Sequence, residues 1–174
     1  MTHEEIAKLR YKPENLQKIE RFPVYGLLDN IRSLYNVGAM FRIADGARIE
    51  KLFLSGYTPY PPRKEIEKTA LGATKTVPWE YLKNPLDVIN KLRSSNIKIC
   101  VLEHVLPSRP YYSLEKSDFP LCIVVGNEIT GISNQIIDEA DFGIEIPMYG
   151  MKQSLNAATA FGIAIFDCIR ILKQ

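Results

Sequence analysis

Apolar residues along this chain fall into short runs separated by segments with a different periodicity. The run Leu121–Val125 is apolar at every position and ends at Gly126, which is typical of a parallel strand buried on both faces. Shorter runs predict further strands at Val24–Leu28, Lys51–Leu54, Ile97–Leu102 and Gly143–Ile146. Together these runs predict the strands of one sheet.

Helical spacing occupies the segments between the runs. In Asn36–Ala47, for example, Val37, Met40, Phe41 and Ala44 recur at intervals of three and four. Further helices are predicted at Arg63–Leu71, at Pro85–Ser95 with Asn84 as N-cap, from Ser133 through Glu139, and at Leu155–Leu172. The alternation of strands and helices predicts an α/β fold, a mainly parallel sheet with helices on both faces.

Length and composition indicate one domain that follows a short N-terminal extension. Polar helices at Glu4–Arg10 and Pro13–Glu20 predict a helical extension over residues 1–22, and the single domain then covers residues 23–174. The 174 residues, 46% of them hydrophobic, argue against disorder and coiled coil. No apolar run has the roughly 18 residues of a membrane span, and Met1–Glu5 lacks a signal-peptide layout. We therefore expect a soluble, cytoplasmic protein without a membrane partner.

Charge, cysteine and histidine content limit the kinds of partner and site that we expect for this chain. Lysine plus arginine number 22 against 20 acidic residues, so a polyanionic partner is neither required nor excluded. Cys100, Cys122 and Cys168 each lie in an apolar stretch, which predicts buried, reduced thiols. The cysteines and histidines lack the spacing of zinc ligands, and His104 is isolated. We expect neither a metal site nor a histidine-based nucleophile triad.

Three segments of unusual composition follow predicted strands, at residues 36–42, 126–131 and 146–157. In parallel sheets, ligands bind beyond the carboxyl ends of the strands. Each segment also has a purely structural interpretation. Asn36 suits an N-cap and Arg42 an ion pair with Asp29 or Asp45, while Ser154 and Asn156 suit the start of the last helix. Gly126-Asn127 suits a simple turn, and no segment matches a phosphate-binding glycine motif.

Taken together and in this order, the three segments resemble the signature motifs of the SpoU (TrmH-type) RNA ribose 2′-O-methyltransferases. The resemblance covers roughly residues 24–172. The motifs are Asn36-x-Gly38-x-x-x-Arg42, then Val125-Gly126-Asn127-Glu128-x-x-Gly131, then Ile146-Pro147-Met148-x-Gly150-x-x-x-Ser154-Leu155-Asn156.

The resemblance implies a SPOUT fold with a deep C-terminal trefoil knot, formed by the strand at 121–125, the loop at 146–153 and the last helix. It implies S-adenosylmethionine as methyl donor without a metal, and a homodimer whose active sites each use both subunits. The cofactor would lie against Leu102, Gly126, Ile146 and Leu155.

The resemblance also assigns catalytic residues, namely Asn36, Arg42, Glu128, Ser154 and Asn156. A guanidinium stays protonated in proteins, so we expect Arg42 to stabilise the developing 2′-alkoxide while a phosphate or water accepts the proton. Glu128 suits a bidentate contact that holds this guanidinium.

RNA is the partner that the resemblance implies, with transfer RNA slightly preferred over ribosomal RNA. Loosely clustered basic residues are candidates for RNA contacts or for ordinary solvated helix faces: Lys8, Arg10, Lys12, Lys18, Arg21, Arg63, Lys64, Lys68 and Lys75. Tyr57, Tyr60, Tyr111 and Tyr112 either stack on unpaired bases or pack against neighbouring prolines. The alternatives are a catalytically inactive knotted RNA-binding or ribosome-assembly module, and an unrelated nucleotide-binding α/β protein.

Overall fold

A computed structural model describes Thr2 and residues 20–174, and these form a seven-stranded parallel sheet with helices. The strands are β1 Phe22–Asp29, β2 Ile49–Ser55, β3 Trp79–Leu82, β4 Lys98–Leu102, β5 Ser108–Pro110, β6 Leu121–Val125 and β7 Phe142–Glu145. The α-helices are α1 Leu34–Ala47, α2 Lys64–Ala70, α3 Pro85–Arg93, α4 Asn134–Ile137 and α5 Ala157–Leu172. The strand order is β3-β2-β1-β6-β4-β7-β5. The polar helices predicted within residues 4–20 lie, apart from Glu20, outside the described residues.

Strand β6 is buried on both faces, as its uninterrupted apolar sequence predicts. Leu121, Ile123 and Val125 belong to the core that includes residues of α1 and α5, whereas Cys122 and Val124 face the core that includes α3 and α4. The alternation follows from the two-residue period of a strand. The prediction of an α/β fold with helices covering both faces of a parallel sheet is therefore confirmed.

Side-chain caps define where three helices begin. Ser33 caps α1 by accepting a hydrogen bond from the Asn36 amide at 3.2 Å, so the interpretation of Asn36 as the N-cap is wrong. Asn84 caps α3 by accepting from the Leu86 amide, as predicted. The last helix begins at Ala157 rather than at Leu155, because Asn156 is its N-cap. In each case the cap satisfies a backbone N–H that has no partner within the helix.

Two strands are absent from the sequence prediction, and helix α4 is shorter than predicted. Strand β3 is partly buried at all four positions and carries no alternation that would reveal it. Strand β5 is a three-residue edge strand ending in Pro110, within a segment predicted to be a loop. Proline is tolerated there because an edge strand leaves one side unpaired. Helix α4 has only four residues, and Ser133 makes no capping hydrogen bond.

The three cysteines are buried and free, which confirms the prediction for them. Burial raises the pKa of each thiol, because a thiolate is poorly solvated in an apolar core. Within residues 20–174 no helix is long and apolar enough to cross a membrane. Arg21, one of the basic residues considered for RNA contacts, instead donates to the carbonyl oxygens of Ile49 and Thr76.

Candidate active site

A cavity of about 340 Å³ lies at the carboxyl ends of β4, β6 and β7, which are adjacent in the sheet. Leu102 ends β4, Gly126 follows β6, and Ile146 follows β7. Leu155 precedes α5 and completes the set. All four predicted cofactor residues line this one cavity, although they come from separate parts of the chain.

The second motif folds into a tight loop whose shape requires glycine at both ends. A Cβ atom on Gly126 would lie 2.6 Å from the carbonyl oxygen of Gly131, so no side chain fits there. Gly131 has a φ of +69°, a conformation that side chains disfavour. Between them, Asn127 accepts hydrogen bonds from the amides of Ile129 and Thr130 through its side-chain oxygen. The turn interpretation is therefore correct, and the turn presents Glu128 to the cavity.

One chain of hydrogen bonds joins the three motifs at the rim of the cavity. The Asn36 amide nitrogen donates to Glu128 Oε1 at 2.8 Å. The Asn156 amide nitrogen donates in turn to Asn36 Oδ1 at 3.1 Å. The Asn156 oxygen accepts from the amides of Ala158 and Thr159 at the start of α5. Each amide group thus has its orientation fixed by a neighbour on either side.

Glu128 binds the backbone that precedes helix α1 rather than an arginine side chain. Its carboxylate accepts from the backbone amides of Arg32 at 2.9 Å and Ser33 at 3.2 Å, in addition to Asn36. Partial burial opposes ionisation, but these hydrogen bonds prevail and hold the pKa of Glu128 below its ordinary value. The expectation that Glu128 holds the guanidinium of Arg42 is therefore wrong for a single chain, because Glu128 accepts from Asn36 and from the backbone before α1 and makes no hydrogen bond to Arg42.

Arg42 lies apart from this network. Its side chain is exposed, does not line the cavity, and has no hydrogen bond or ion pair to the rest of the described chain. The suggested ion pairs are also wrong, because Asp29 accepts from Ser55 and Asn30, and Asp45 from Thr76. Ser154 is exposed and lines the cavity beside Asn156.

The cavity carries negative charge. Glu103, Glu128 and Glu145 line it, and its lining includes no lysine or arginine. His104 also lines the cavity, together with neutral polar side chains, and apolar side chains such as Leu102, Ile146 and Leu155 supply much of the remaining wall. The site therefore suits a partly apolar ligand that carries positive charge, and it disfavours phosphate groups.

His104 connects the end of β4 to the loop that precedes α5. Its Nδ1 lies 3.1 Å from Glu145 Oε2 and its Nε2 lies 3.1 Å from the carbonyl oxygen of Gln153. Only the imidazolium form donates at both nitrogens, and both partners are acceptors. The hydrogen bond to Glu145 raises the pKa of His104; burial opposes this, and the hydrogen bond to the Gln153 carbonyl oxygen supports it.

Three residues that line this cavity have no role in the site predicted from the sequence: Glu103, His104 and Glu145. The partners of His104 are 41 and 49 residues away, so no local pattern reveals them. Among residues 20–174, no three or more histidine, cysteine, aspartate or glutamate side chains group as metal ligands do.

Comparison with known proteins gives one consistent family. The model of the SpoU rRNA methylase family matches residues 23–166. A tRNA (guanosine(18)-2′-O)-methyltransferase of Aquifex aeolicus (strain VF5) is 32% identical over 145 residues, which are 82% of this chain and 66% of that protein. A putative TrmH family tRNA/rRNA methyltransferase of Staphylococcus aureus (strain COL) is 28% identical over 83% of this chain and 57% of its own length. This chain thus spans about three fifths of these curated relatives.

Solved structures agree with the sequence comparison. The crystal structure of a TrmH/SpoU tRNA modifying enzyme of A. aeolicus matches with a TM-score of 0.81 and 27% identity, over 98% of this chain and 83% of that one. An AdoMet-bound rRNA methyltransferase of Sinorhizobium meliloti matches with a TM-score of 0.80 and 29% identity, over 92% and 61% of the two chains.

Proposed function

The chain belongs to the SpoU rRNA methylase family, and on that basis we propose that it transfers a methyl group from S-adenosylmethionine to a ribose 2′-hydroxyl of RNA. The observation that carries the proposal is the hydrogen-bond chain from Glu128 through Asn36 to Asn156 at the rim of the cavity. It assembles polar groups from all three motifs beside a pocket of suitable size and charge.

The cavity fits S-adenosylmethionine in shape and in charge. Leu102, Ile146 and Leu155 offer an apolar wall for the adenosine moiety, and Gly126 leaves the backbone open to close approach. The carboxylates that line the cavity suit a ligand with a sulfonium and an ammonium group. When bound, the cofactor supplies an electrophilic methyl group on a cationic sulfur and leaves as neutral S-adenosylhomocysteine.

The residues at the rim would orient the ribose and stabilise the charge that develops on its oxygen. Asn36 and Asn156 are held in one orientation, and Ser154 offers a hydroxyl beside them. Fixed polar groups lower the barrier because they need no reorganisation during the reaction. Arg42 remains the residue we assign to the developing 2′-alkoxide, since its guanidinium is permanently charged and has no partner in the described chain.

We propose that Arg42 acts in the site of a second copy of the chain, and therefore that the enzyme is a homodimer. Positions 36 and 42 lie about 120° apart around α1 and about 9 Å apart along it, so Arg42 faces away from Asn36. Gly46 follows Arg42 on the same helical face. Phe166 of α5, half exposed, lies beside Gly46, since a Cβ atom there would be 3.6 Å from its ring. An exposed aromatic ring one helical turn from an arginine without a partner in the described chain supports a dimer contact at this surface.

The assignment of the RNA substrate class rests on the family and on the names of relatives. Transfer RNA is the preferred substrate class, in line with the names of the A. aeolicus proteins, and ribosomal RNA is the second, in line with that of the S. meliloti enzyme. We propose a methyltransferase domain at residues 23–174 that follows an N-terminal extension at 1–22. The trefoil knot and a cytoplasmic location stay predictions.

The alternatives make different predictions about ligands. A nucleotide-binding protein needs a phosphate site, and the acidic cavity disfavours one. A catalytically inactive RNA-binding or ribosome-assembly module requires no fixed chain of polar groups at the rim. This module would bind RNA in the absence of any affinity for S-adenosylmethionine.

A comparison of cellular RNA with and without the protein tests the proposal. Transfer and ribosomal RNA would be mapped for alkali-resistant linkages, which mark 2′-O-methyl groups. We expect one linkage to be missing from the deletion strain and to return with wild-type protein but not with Arg42→Ala. If every linkage persisted in both RNA fractions, the proposed activity on these RNAs would be rejected.

A further inference from the structure

Tyr57 stands at the tip of the loop after β2 with most of its side chain, 61%, exposed. Its position is nevertheless fixed at two points. Its backbone amide donates to Asn30 Oδ1 at 3.1 Å, and its hydroxyl oxygen accepts from Asn127 Nδ2 at 2.6 Å. An aromatic ring held at both ends while exposed to solvent has already lost the conformational freedom that binding would otherwise cost.

The residues that hold Tyr57 are themselves tightly held. Asn127 is only 6% exposed, and its Nδ2 also donates to the carbonyl oxygen of Asn30 at 3.0 Å. Asn30 in turn donates to the buried carboxylate of Asp29 at 2.8 Å. Because Asn127 lies between Gly126 and Glu128, the ring is coupled directly to the loop that lines the cavity.

The other loop tyrosines are already occupied by aromatic neighbours. Tyr60 lies 4.5 Å from Tyr81 between ring centroids, and Tyr111 lies 5.3 Å from Tyr112. Tyr57 has no ring partner among the described residues. Tyr60 therefore packs against another ring of the protein, whereas the ring of Tyr57 is open to stack on an unpaired base.

Positive charge lies on the segments attached to this loop. Arg32 is exposed, and the preceding Ile31 donates its amide to Thr58 Oγ1 at 3.0 Å. Lys83 is exposed, and its carbonyl oxygen accepts from the Gly56 amide at 3.1 Å. An exposed aromatic ring with cations near it is the combination by which proteins bind unpaired nucleotides.

We propose that Tyr57 is a stacking platform for an unpaired base of the RNA, beside the nucleotide that receives the methyl group. The inference rests on the proposed function for the presence of RNA at this rim. It adds a substrate requirement: the RNA has at least one unpaired nucleotide next to the target ribose, in a loop or a single-stranded segment. A base within an intact duplex has no free face to stack on the ring.

Binding of two RNA probes tests the proposal. Fluorescein-labelled stem-loop RNA and a blunt duplex of equal length would be titrated with wild-type protein and with Tyr57→Leu, Tyr57→Phe and Tyr112→Leu. Stacking on an aromatic ring corresponds to a loss of about 5- to 150-fold in affinity when the ring is removed. We expect Tyr57→Leu to weaken stem-loop binding by a factor in this range and to leave duplex binding unchanged.

The control variants separate the ring from its surroundings. Tyr57→Phe keeps the ring and removes the hydrogen bond to Asn127, so it should retain most of the affinity for the stem-loop. Tyr112→Leu makes the same change as Tyr57→Leu at another exposed tyrosine and should have no effect. Tyr57→Leu binding the stem-loop like wild type, or Tyr57→Phe being as weak as Tyr57→Leu, would overturn the proposal. Loss of S-adenosylmethionine affinity in Tyr57→Leu would overturn it too, by assigning Tyr57 to the loop structure.

Methyl transfer, measured in parallel, separates this proposal from the proposed function. Wild-type protein that methylates RNA while Tyr57→Leu binds the stem-loop normally would reject the platform alone. Wild-type protein that transfers no methyl group to transfer or ribosomal RNA would reject the proposed function, and the binding comparison would still decide whether Tyr57 stacks on RNA.

Discussion

The side-chain oxygen of Asn36 accepts a hydrogen bond from the side-chain nitrogen of Asn156 at 3.1 Å, across 120 residues of sequence. The direction of this bond follows from Glu128, whose ionised carboxylate can only accept and therefore takes the Asn36 nitrogen. Asn36 must then present its oxygen to Asn156. The proposed active site is thus organised by one carboxylate that also binds the backbone before α1.

Asn156 has two separable roles, as the N-cap of α5 and as the partner of Asn36. Asn156→Asp keeps an oxygen for the amides of Ala158 and Thr159 but cannot donate to Asn36. We expect its free energy of unfolding to stay within about 0.5 kcal/mol of wild type while methyl transfer falls strongly. Asn156→Ala should lose activity and also about 0.5–2 kcal/mol of stability. Denaturant unfolding and turnover, measured on both variants, check this; full activity in Asn156→Asp would contradict it.

Glu128 should contribute to stability in a pH-dependent way. Its pKa is lowered on folding, so its contribution is present above its ordinary pKa and is lost as the pH falls through the folded-state value. We expect Glu128→Gln to lower the free energy of unfolding by about 1 kcal/mol at pH 7, the modest effect of an exposed carboxylate. This deficit relative to wild type should become smaller as the pH falls. Glu65→Gln, at an exposed glutamate of α2, is the control. A deficit that is constant from pH 7 to pH 3 would show that the charge is not responsible.

His104 should titrate above its ordinary pKa of about 6.5. Its raised pKa means that the stabilisation it provides is complete below the unfolded-state pKa and is lost as the pH rises through the folded-state pKa. The imidazole resonances, assigned with His104→Gln, report this value in an NMR titration. Glu145→Gln should lower it, because the hydrogen bond to Glu145 is the main cause of the shift. A titration at or below the ordinary pKa would contradict the hydrogen bonds of His104 to Glu145 and Gln153.

Gly126 should tolerate no side chain. Gly126→Ala places a methyl group against the carbonyl oxygen of Gly131, and we expect a loss of about 1–3 kcal/mol in stability together with weaker S-adenosylmethionine binding. Gly150→Ala is the matched control in the third motif, since a Cβ atom there meets nothing within 4 Å. Calorimetric titration and thermal unfolding of both variants check the contrast. Equal behaviour of the two variants would show that the second-motif loop adapts to the methyl group.

The sequence predicted those features that depend on short-range physics. Leu121–Val125 was recognisable because a strand buried on both faces needs an unbroken apolar run, and Asn84 because helix caps are local. Strand β3 was not predicted, because it is partly buried at every position and shows no alternation. The contacts of Glu128 and His104 were not predicted, because their partners come from distant segments that only the folded sheet brings together. The motif resemblance predicted residues that the structure brings to one cavity and its rim, whereas the partners of Glu128 needed the structure.

Methyl transfer in vitro tests the central claim most directly. Purified protein would be incubated with S-adenosylmethionine carrying a tritiated methyl group and with RNA from cells that lack the protein, and the RNA then hydrolysed with alkali. We predict that the label is recovered in an alkali-resistant dinucleotide, and that Arg42→Ala transfers none although it binds S-adenosylmethionine with unchanged affinity and is as stable as wild type. Label on a base, no label, or full activity in Arg42→Ala would contradict the account.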